Sequence, residues 1–334
     1  MSAVLALALA ALGVGVRFLR LPYDAVAPGE ARSLNRVVKV KGHESYPPRG
    51  RLFSTTVSVR TGINPYEALA GWLDPSVDVL AEEAVQGNVP DAEFQKINQD
   101  AMADSKTIAK LIALRHLGFE GLTTGAEILS VVPDYPASPQ LRAGDVIVAV
   151  DGSTVKESSD AVAALTRHQP GDKAKVRLLR DGRPVELEAI LGGGDEGAAV
   201  LGVHLTTKID IPFDISIESG DVVGPSAGLA YALVVLDVLT PGELTGGVPV
   251  AVTGEVRADG KVGPIGGVAQ KTVSVRRAGA KVFLVPKENL AEAKAHAGRG
   301  LQVRAVSTFE EALTALGSLR GSNALALGPP PASR

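Results

Sequence analysis

Ser226 has the surroundings most typical of a nucleophile in this sequence. It is flanked by small residues in the run 224–228, G-P-S-A-G, which lets a substrate approach the hydroxyl closely. A serine hydroxyl is a poor nucleophile at neutral pH and needs a neighbouring base. A histidine base after the serine would have to be His296, with Asp237 or Asp259 as the orienting acid, but its flanking residues are typical of a surface helix.

Two further motifs follow Ser226 in order. Thr253-Gly254-Glu255 comes after the apolar stretch 248–252, and residues 262–271 read V-G-P-I-G-G-V-A-Q-K. With G-P-S-A-G, they resemble three motifs of Lon-type peptidases at similar spacing, over residues 201–318. G-P-S-A-G by itself also fits the G-x-S-x-G nucleophile elbow of α/β-hydrolases, but that shorter pattern is a weak signal.

The Lon-type resemblance implies a catalytic dyad of Ser226 and Lys271. A lysine with the ordinary pKa of about 10.4 is protonated at neutral pH, and burial is needed to keep its amine neutral. The run 268–273 is otherwise uncharged, which suits such burial. In the family, the threonine matching Thr253 hydrogen-bonds the lysine amine, so Thr253 is expected to orient Lys271.

Gly224 and Ala227, close to the serine on either side, are predicted to support catalysis. Pro225 and Ser226 open the apolar run 227–239, which predicts a buried helix whose first amides could stabilise an oxyanion. Gly224 would let the backbone approach the substrate closely. Taken singly, Ser226 could be a plain helix cap and Lys271 a solvated lysine, but the three motifs together favour the dyad.

Two departures from the familiar Lon pattern are visible. The acidic residue three positions before the serine is replaced by Val223, with Asp221 two residues further back. Any role of that acid in gating the site is therefore in doubt. The sequence also has no Walker A motif, since the nearest candidate, residues 254–262, has the wrong glycine spacing and a valine after its lysine.

The middle of the chain resembles a bacterial PDZ domain over residues 115–192. Residues 141–152, L-R-A-G-D-V-I-V-A-V-D-G, match the L-x-x-G-D-x-I-x-x-V-[ND]-G stretch of PDZ domains attached to periplasmic proteases. A helix near 158–166 and a hairpin turn at Asp181-Gly182 are predicted around it. The resemblance implies a groove in which a peptide adds a strand to the sheet.

Leu117, Gly118 and Phe119 stand where that family places its carboxylate-binding loop. Successive amides there would bind a peptide's terminal carboxylate, and the helix near 158–166 would form the other wall. The alternative is a helix stop followed by a core aromatic residue, which is the better interpretation of these three residues taken alone.

Wider patterns predict the elements that must position these motifs. Residues 23–62 are typical of short strands, and residues 65–117 look helical up to Gly118. The resemblance implies a Lon fold that begins with strands and a long helix before its serine, so the PDZ unit is predicted to be inserted into the peptidase fold. The predicted fold class is α+β, a β-rich PDZ domain with an α/β Lon-type domain. The predicted segments are a transmembrane anchor at 1–21, strands and a long helix of the peptidase fold at 22–114, the PDZ domain at 115–192, a linker at 193–200, the Lon-type domain at 201–318 and a disordered tail at 319–334.

An uncharged apolar stretch, residues 3–16, begins the chain and is followed by Arg17 and Arg20. It is shorter than the ~20 residues of a spanning helix, although snorkelling arginines could extend it through Leu21. A signal-peptide core and a buried helix are alternatives, but we favour a single-pass membrane anchor. The two arginines argue for a cytoplasmic body. The resemblance to membrane-attached bacterial PDZ–Lon proteases, which covers nearly the whole chain, implies an extracytoplasmic one, and we follow the family.

The composition excludes several other functions. Without cysteine the sequence cannot form disulfides, thiolate zinc sites or a cysteine nucleophile, and a formal charge of −3 without a long basic run argues against a nucleic-acid partner. We expect an ATP-independent serine endopeptidase without metal or cofactor, which takes polypeptide substrates by their C-termini through the PDZ groove. The resemblance also implies a homo-oligomer, in the family a hexamer. The alternative is a catalytically inactive, membrane-anchored PDZ adaptor with a relict Lon-like fold.

Overall fold

The computed structural model describes residues 15–48, 50–87, 89–194 and 197–319. Its strands are β1 (Tyr23–Ser33), β2 (Val38–Lys41), β3 (Arg51–Arg60), β4 (Asp78–Ala81), β5 (Thr123–Val131), β6 (Val146–Val150), β7 (Ser153–Thr154), β8 (Lys173–Arg180), β9 (Arg183–Ile190), β10 (Gly192–Gly193), β11 (Ala199–Val200), β12 (Val203–Ile209), β13 (Asp214–Ile217), β14 (Pro249–Val252), β15 (Glu255–Val256), β16 (Val262–Gly263), β17 (Val282–Pro286) and β18 (Gln302–Val306). Its helices are α1 (Pro65–Leu73), α2 (Glu82–Gln86), α3 (Asp91–His116), α4 (Ser158–Leu165), α5 (Gly228–Leu239), α6 (Val268–Arg277), α7 (Leu290–His296) and α8 (Phe309–Gly317), with short 3-10 turns at Ser138–Gln140, Pro225–Ala227 and Lys287–Asn289.

One six-stranded sheet, in the order β18-β17-β14-β3-β1-β4, organises the larger unit. β14 is parallel to β3 and β17, and β17 is parallel to β18, whereas β1 is antiparallel to β3 and β4. β14 and β17 are buried at every position because separate apolar clusters cover the two faces of the sheet, as parallel strands require. Strands from residues 23–81 and from 249–306 therefore share one sheet.

α5 and α3 pack against each other on one side of this sheet. Every residue of α5 is buried, as its apolar sequence predicts, and α3 contributes a buried stripe that includes Ile108, Leu111 and Ile112. The predicted helix at 65–117 is instead divided into α1, α2 and α3, with β4 between the first two. Pro75 and Pro90 account for the breaks, because the residue before a proline avoids the helical conformation.

The second large sheet is antiparallel, with the order β12-β5-β6-β8-β9 and β7 beside β6. The predicted turn at Asp181-Gly182 is confirmed, since both residues have positive φ and connect β8 to β9. β12 differs from expectation, because it lies within the segment predicted for the Lon-type domain but pairs with β5. The predicted linker at 193–200 contains β11, which pairs with β10, and Ala199 is buried in the core of this sheet.

The chain enters and leaves this second unit at neighbouring points. The Asp210 amide, just after β12, donates to the carbonyl oxygen of Leu122, just before β5, at 2.7 Å. Beyond that junction, β13 pairs with β2, a strand from the first part of the chain. The segments on either side of the PDZ-like sheet thus lie next to each other in the larger unit.

The predicted ends of the chain lie mostly outside the described residues. Residues 1–14 of the predicted anchor and residues 320–334 of the predicted tail are not among the residues that the structure describes. Within the ranges that the structure describes, no helix combines the length and apolar character needed to cross a membrane.

Candidate active site

Ser226 lies on the tight 3-10 turn Pro225–Ala227 that leads directly into α5. Gly224 precedes the turn with a φ of 85°, a conformation that favours glycine, and its amide donates to the Asn98 carbonyl oxygen at 2.9 Å. The serine therefore stands at the N-terminus of a buried helix. Backbone amides in a first helical turn have no acceptor within the helix and can stabilise negative charge.

α3 holds this turn from the opposite side. The Ser105 hydroxyl donates to the Pro225 carbonyl oxygen at 3.1 Å, which adds to the Asn98 contact about two helical turns earlier. Gly228 lies so close to α3 that a Cβ atom on it would be 2.6 Å from Ser105 Oγ. Gly228, two residues after the nucleophile, has no side chain and thus permits the contact between the serine turn and α3.

Lys271 extends from α6, and its Nζ lies 2.9 Å from Ser226 Oγ. Gly267 begins this helix with a φ of 64°, and a Cβ atom there would lie 2.6 Å from a methyl group of Val57 on β3. Only 3% of Lys271 is exposed, and desolvation lowers the pKa of its amine from 10.5 to about 8. The sequence-predicted pair is therefore brought together in a setting that raises the neutral fraction of the amine.

Thr253 contacts the serine turn rather than the lysine. Its hydroxyl donates to the Ser226 carbonyl oxygen at 3.1 Å, and the Gly254 amide donates to the same oxygen at 2.9 Å. The expected bond to the Lys271 amine is replaced by this one, because Thr253 follows β14 directly beneath the turn. Thr253 is buried, so it fixes the backbone of Ser226, while packing around α6 orients Lys271.

The residues of a histidine-dependent triad are not assembled. His296 Nδ1 contacts the Glu292 carbonyl oxygen of its own helix at 3.0 Å. Asp237 accepts from the Leu244 amide at 3.2 Å, and burial raises the pKa of its carboxyl to about 6. Asp259 forms an ion pair with Lys261 in the turn before β16. Each side chain has a local structural partner, so the histidine alternative is not supported.

Leu117, Gly118 and Phe119 do not form a carboxylate-binding loop. Their amides donate to the carbonyl oxygens of Ala113, Arg115 and Leu114, which terminates α3. Leu117 is buried in the core around α5, and Phe119 packs on the same core. The predicted loop was wrong because these amides are already used; the segment is the helix stop and core aromatic that formed the alternative interpretation.

β12 is the outer strand of the PDZ-like sheet, with α4 beside it. The Ser158 amide at the start of α4 donates to Thr207 Oγ1 at 3.1 Å, which joins one end of the two elements. Towards the other end, Val203 and Leu205 pack on the edge of the core, and Val162 of α4 is 53% exposed. The helix beside the edge strand thus carries an exposed apolar side chain.

The sequence offered a signal for this strand that was missed. Leu201-Gly202-Val203 has the same apolar-glycine-apolar character as Leu117-Gly118-Phe119, and Gly202 adopts a φ of 70° just before β12. The segment lies beyond the recognised PDZ motifs, so sequence spacing assigned it to the next domain.

α3 also contacts the other side of β12. Asp100 Oδ2 accepts from Ser130 on β5 and lies 3.1 Å from His204 Nδ1 on β12. Asp104 lies against Thr206 of the same strand, and burial raises the pKa of its carboxyl. The helix that holds the serine turn therefore also packs on the edge strand of the PDZ-like sheet.

Two family models match the chain in consecutive parts. Residues 102–191 match the PDZ domain, and residues 206–317 match the Lon protease (S16) C-terminal proteolytic domain. The PDZ match begins inside α3 and ends before β12. The PDZ domain of the SdrC-like protein from Listeria monocytogenes aligns with 26% of this chain and 93% of its own, at 25% identity and a TM-score of 0.25.

Curated relatives match the peptidase part. Lon protease of Haemophilus influenzae is 40% identical over 93 residues, 27% of this chain and 11% of its own length. Lon protease of Koribacter versatilis is 31% identical over 159 residues, 46% of this chain and 19% of its own length. The chain thus spans less than a fifth of the length of these two relatives, and the sequence has no Walker A motif. These 334 residues carry a PDZ domain and a proteolytic domain of the Lon (S16) serine-peptidase class.

Proposed function

We propose that the chain is an ATP-independent serine endopeptidase whose nucleophile is Ser226 and whose general base is neutral Lys271. The observation that carries the proposal is the 2.9 Å distance between Lys271 Nζ and Ser226 Oγ in a buried setting. With a pKa of about 8, roughly a tenth of the lysine amine is neutral at pH 7. That fraction is far larger than an exposed lysine would supply.

The proposed reaction has two halves. As Ser226 Oγ attacks a peptide carbonyl, its proton passes to Lys271 Nζ, and the resulting ammonium protonates the leaving amine. Lys271, neutral again, then takes a proton from a water that attacks the acyl-serine and returns it to Ser226 Oγ. The backbone amides of Ser226 and Ala227 in the serine turn stabilise the oxyanion in both halves, because those of Gly228 and Leu229 at the start of α5 already donate to the Pro225 and Gly254 carbonyl oxygens. Thr253 and Ser105 contribute by fixing the backbone around the nucleophile.

We propose that substrates are selected at the outer edge of β12, next to α4. An extended C-terminal segment would pair with β12 and place an apolar side chain against Val162 and Leu205. The exposure of Val162 and the edge position of β12 support this site. A Val162→Glu variant should bind apolar C-terminal peptides at least about tenfold more weakly, whereas Ile190→Glu on β9 should bind them normally.

The resemblance further supports attachment to a membrane through residues 1–21, an extracytoplasmic body and assembly into a homo-oligomer. These parts of the proposal do not depend on the dyad. Each can fail while Ser226 and Lys271 still hydrolyse peptides.

Hydrolysis of an unfolded polypeptide without ATP tests the proposal. Wild-type chain should cleave it, and Ser226→Ala and Lys271→Ala should each lose at least about 100-fold in rate. Lys281→Ala, which removes an exposed lysine before β17, is the matched control and should keep full activity. A wild type that binds peptides through β12 without cleaving them would instead favour the inactive adaptor.

A further inference from the structure

α1 presents an apolar face outward. Ala68 and Gly71 pack it against the strand region of β4, and the Asn64 side chain caps its first turn. The opposite face, here called the α1 face, is exposed: Leu73 to 76%, Trp72 to 67%, Leu69 to 54% and Tyr66 to 50%, with Ala70 among them. Scattered exposed apolar residues are ordinary, but a contiguous set that includes the sole tryptophan indicates a contact surface.

The α1 face lies where the apolar start of the chain reaches the folded unit. The Leu21 amide donates to the Ile63 carbonyl oxygen at 2.9 Å, one residue before the cap of α1. The Arg20 guanidinium donates to the Gly62 carbonyl oxygen at 2.9 Å. Phe18 and Leu19, which follow the apolar stretch 3–16, are 78% and 55% exposed. Exposed apolar surface therefore continues from the end of that stretch towards α1.

We propose that the α1 face rests on a lipid surface, beside the membrane-inserted stretch 3–16. A stretch shorter than the ~20 residues of a spanning helix gains from a second point of attachment. Tryptophan and tyrosine are the aromatic residues that favour the boundary between lipid tails and headgroups, and arginines such as Arg17 and Arg20 suit the headgroup layer. The α1 face contains both aromatic types, and the exposed Arg20 lies near the start of α1 through its bond to Gly62.

This inference rests on the proposed membrane attachment and is independent of the catalytic dyad. It predicts a fixed orientation, because two points of attachment restrain the body more than a single tether does. The glutamate of α1, Glu67, lies at the side of the face and is paired with Arg60, so it does not place an unpaired charge against the lipid.

The fluorescence of Trp72, the sole tryptophan, tests the contact with the full-length chain. Added phosphatidylcholine–phosphatidylglycerol vesicles should shift its emission to shorter wavelength, and brominated lipid should quench it. Leu69→Glu and the milder Leu73→Ser should reduce both effects while the chain still sediments with vesicles through residues 3–16. Ile190→Glu, an equivalent change on the distant strand β9, should leave both effects intact.

The other outcomes overturn the inference and identify what covers the α1 face. An unchanged Trp72 emission in a chain that sediments with vesicles would leave the anchor standing and refute the lipid contact. Failure to sediment would refute the membrane attachment as well. A shift that depends on protein concentration without vesicles would indicate a second copy of the chain. A short-wavelength emission without vesicles that is lost on deletion of residues 1–14 would indicate that this segment covers the face.

Discussion

At the scale of single residues, the environment of Lys271 decides the proposed chemistry. An exposed lysine beside Ser226 would be protonated and would donate to the hydroxyl without accepting its proton. Desolvation by the packing of α6 lowers the pKa of Lys271 to about 8. In the proposed mechanism, the hydroxyl of Ser226 then has its base at 2.9 Å.

The first prediction concerns pH. Hydrolysis should rise with pH through an apparent pKa of about 8 and level off above it, because the neutral amine is the active form. The free energy of unfolding should also increase between about pH 8 and 10.5, because the unfolded chain still holds a proton that folded Lys271 has released. Initial rates at constant ionic strength check the first effect; a rate independent of pH across this range would exclude a lysine base.

The same two residues show what the sequence could and could not predict. The ordered motifs were sufficient to predict that Ser226 and Lys271 lie together, and the structure places Oγ and Nζ 2.9 Å apart. The partner of Thr253 was not predictable in the same way, since the order of the motifs does not show which neighbouring group a threonine hydroxyl will bond. In the structure, Thr253 directly follows β14, and its hydroxyl donates to the Ser226 carbonyl oxygen.

At the scale of secondary structure, α3 connects the two parts of the molecule. Asn98 and Ser105 hold the serine turn, and Asp100, between them on the helix, contacts His204 of β12. The sequence predicted a helix ending at Gly118, but not which strands it would touch. A helix stop and a carboxylate-binding loop can both have the sequence pattern apolar-glycine-apolar. Only the hydrogen bonds of residues 117–119, whose amides donate to carbonyl oxygens of α3, distinguish the two.

The second prediction concerns the contact between α3 and α5. Gly228→Ala places a Cβ atom 2.6 Å from Ser105 Oγ, so it should cost about 1–3 kcal/mol of stability and displace the serine turn, lowering activity. Adding Ser105→Ala removes that oxygen and should restore part of the stability, although Val256 remains close. Urea denaturation of the single and double variants measures this; equal stability of wild type and Gly228→Ala would show that the contact is looser than described.

At the scale of the whole molecule, the peptidase sheet is built from two distant parts of the chain. β1, β3 and β4 come before the PDZ-like sheet, and β14, β17 and β18 come after it. The adjacency of Leu122 and Asp210 supports the proposal that the PDZ unit is inserted into the peptidase fold. The resemblance to the Lon fold suggested the insertion, but the position of its boundary was not visible in the sequence because β12 pairs with β5.

The third prediction follows from that arrangement. Residues 201–319 expressed alone should fail to fold cooperatively. They lack three strands of the six-stranded sheet, and they also lack α3, against which α5 packs. A chain in which a short glycine-serine link replaces residues 122–210 should retain a cooperative unfolding transition, since the two ends already lie side by side. Thermal unfolding of both fragments checks this, and a stable, cooperatively folding 201–319 fragment would contradict the insertion.

The central claim is that Lys271 makes Ser226 a nucleophile. Treatment of the chain with a serine-directed fluorophosphonate, followed by peptide mass spectrometry, measures this directly by locating and timing the adduct. We predict modification at Ser226, at least about 100-fold slower modification in Lys271→Met, and an unchanged rate in Lys281→Ala. An unmodified Ser226, or equal rates of modification in wild type and Lys271→Met, would contradict the account.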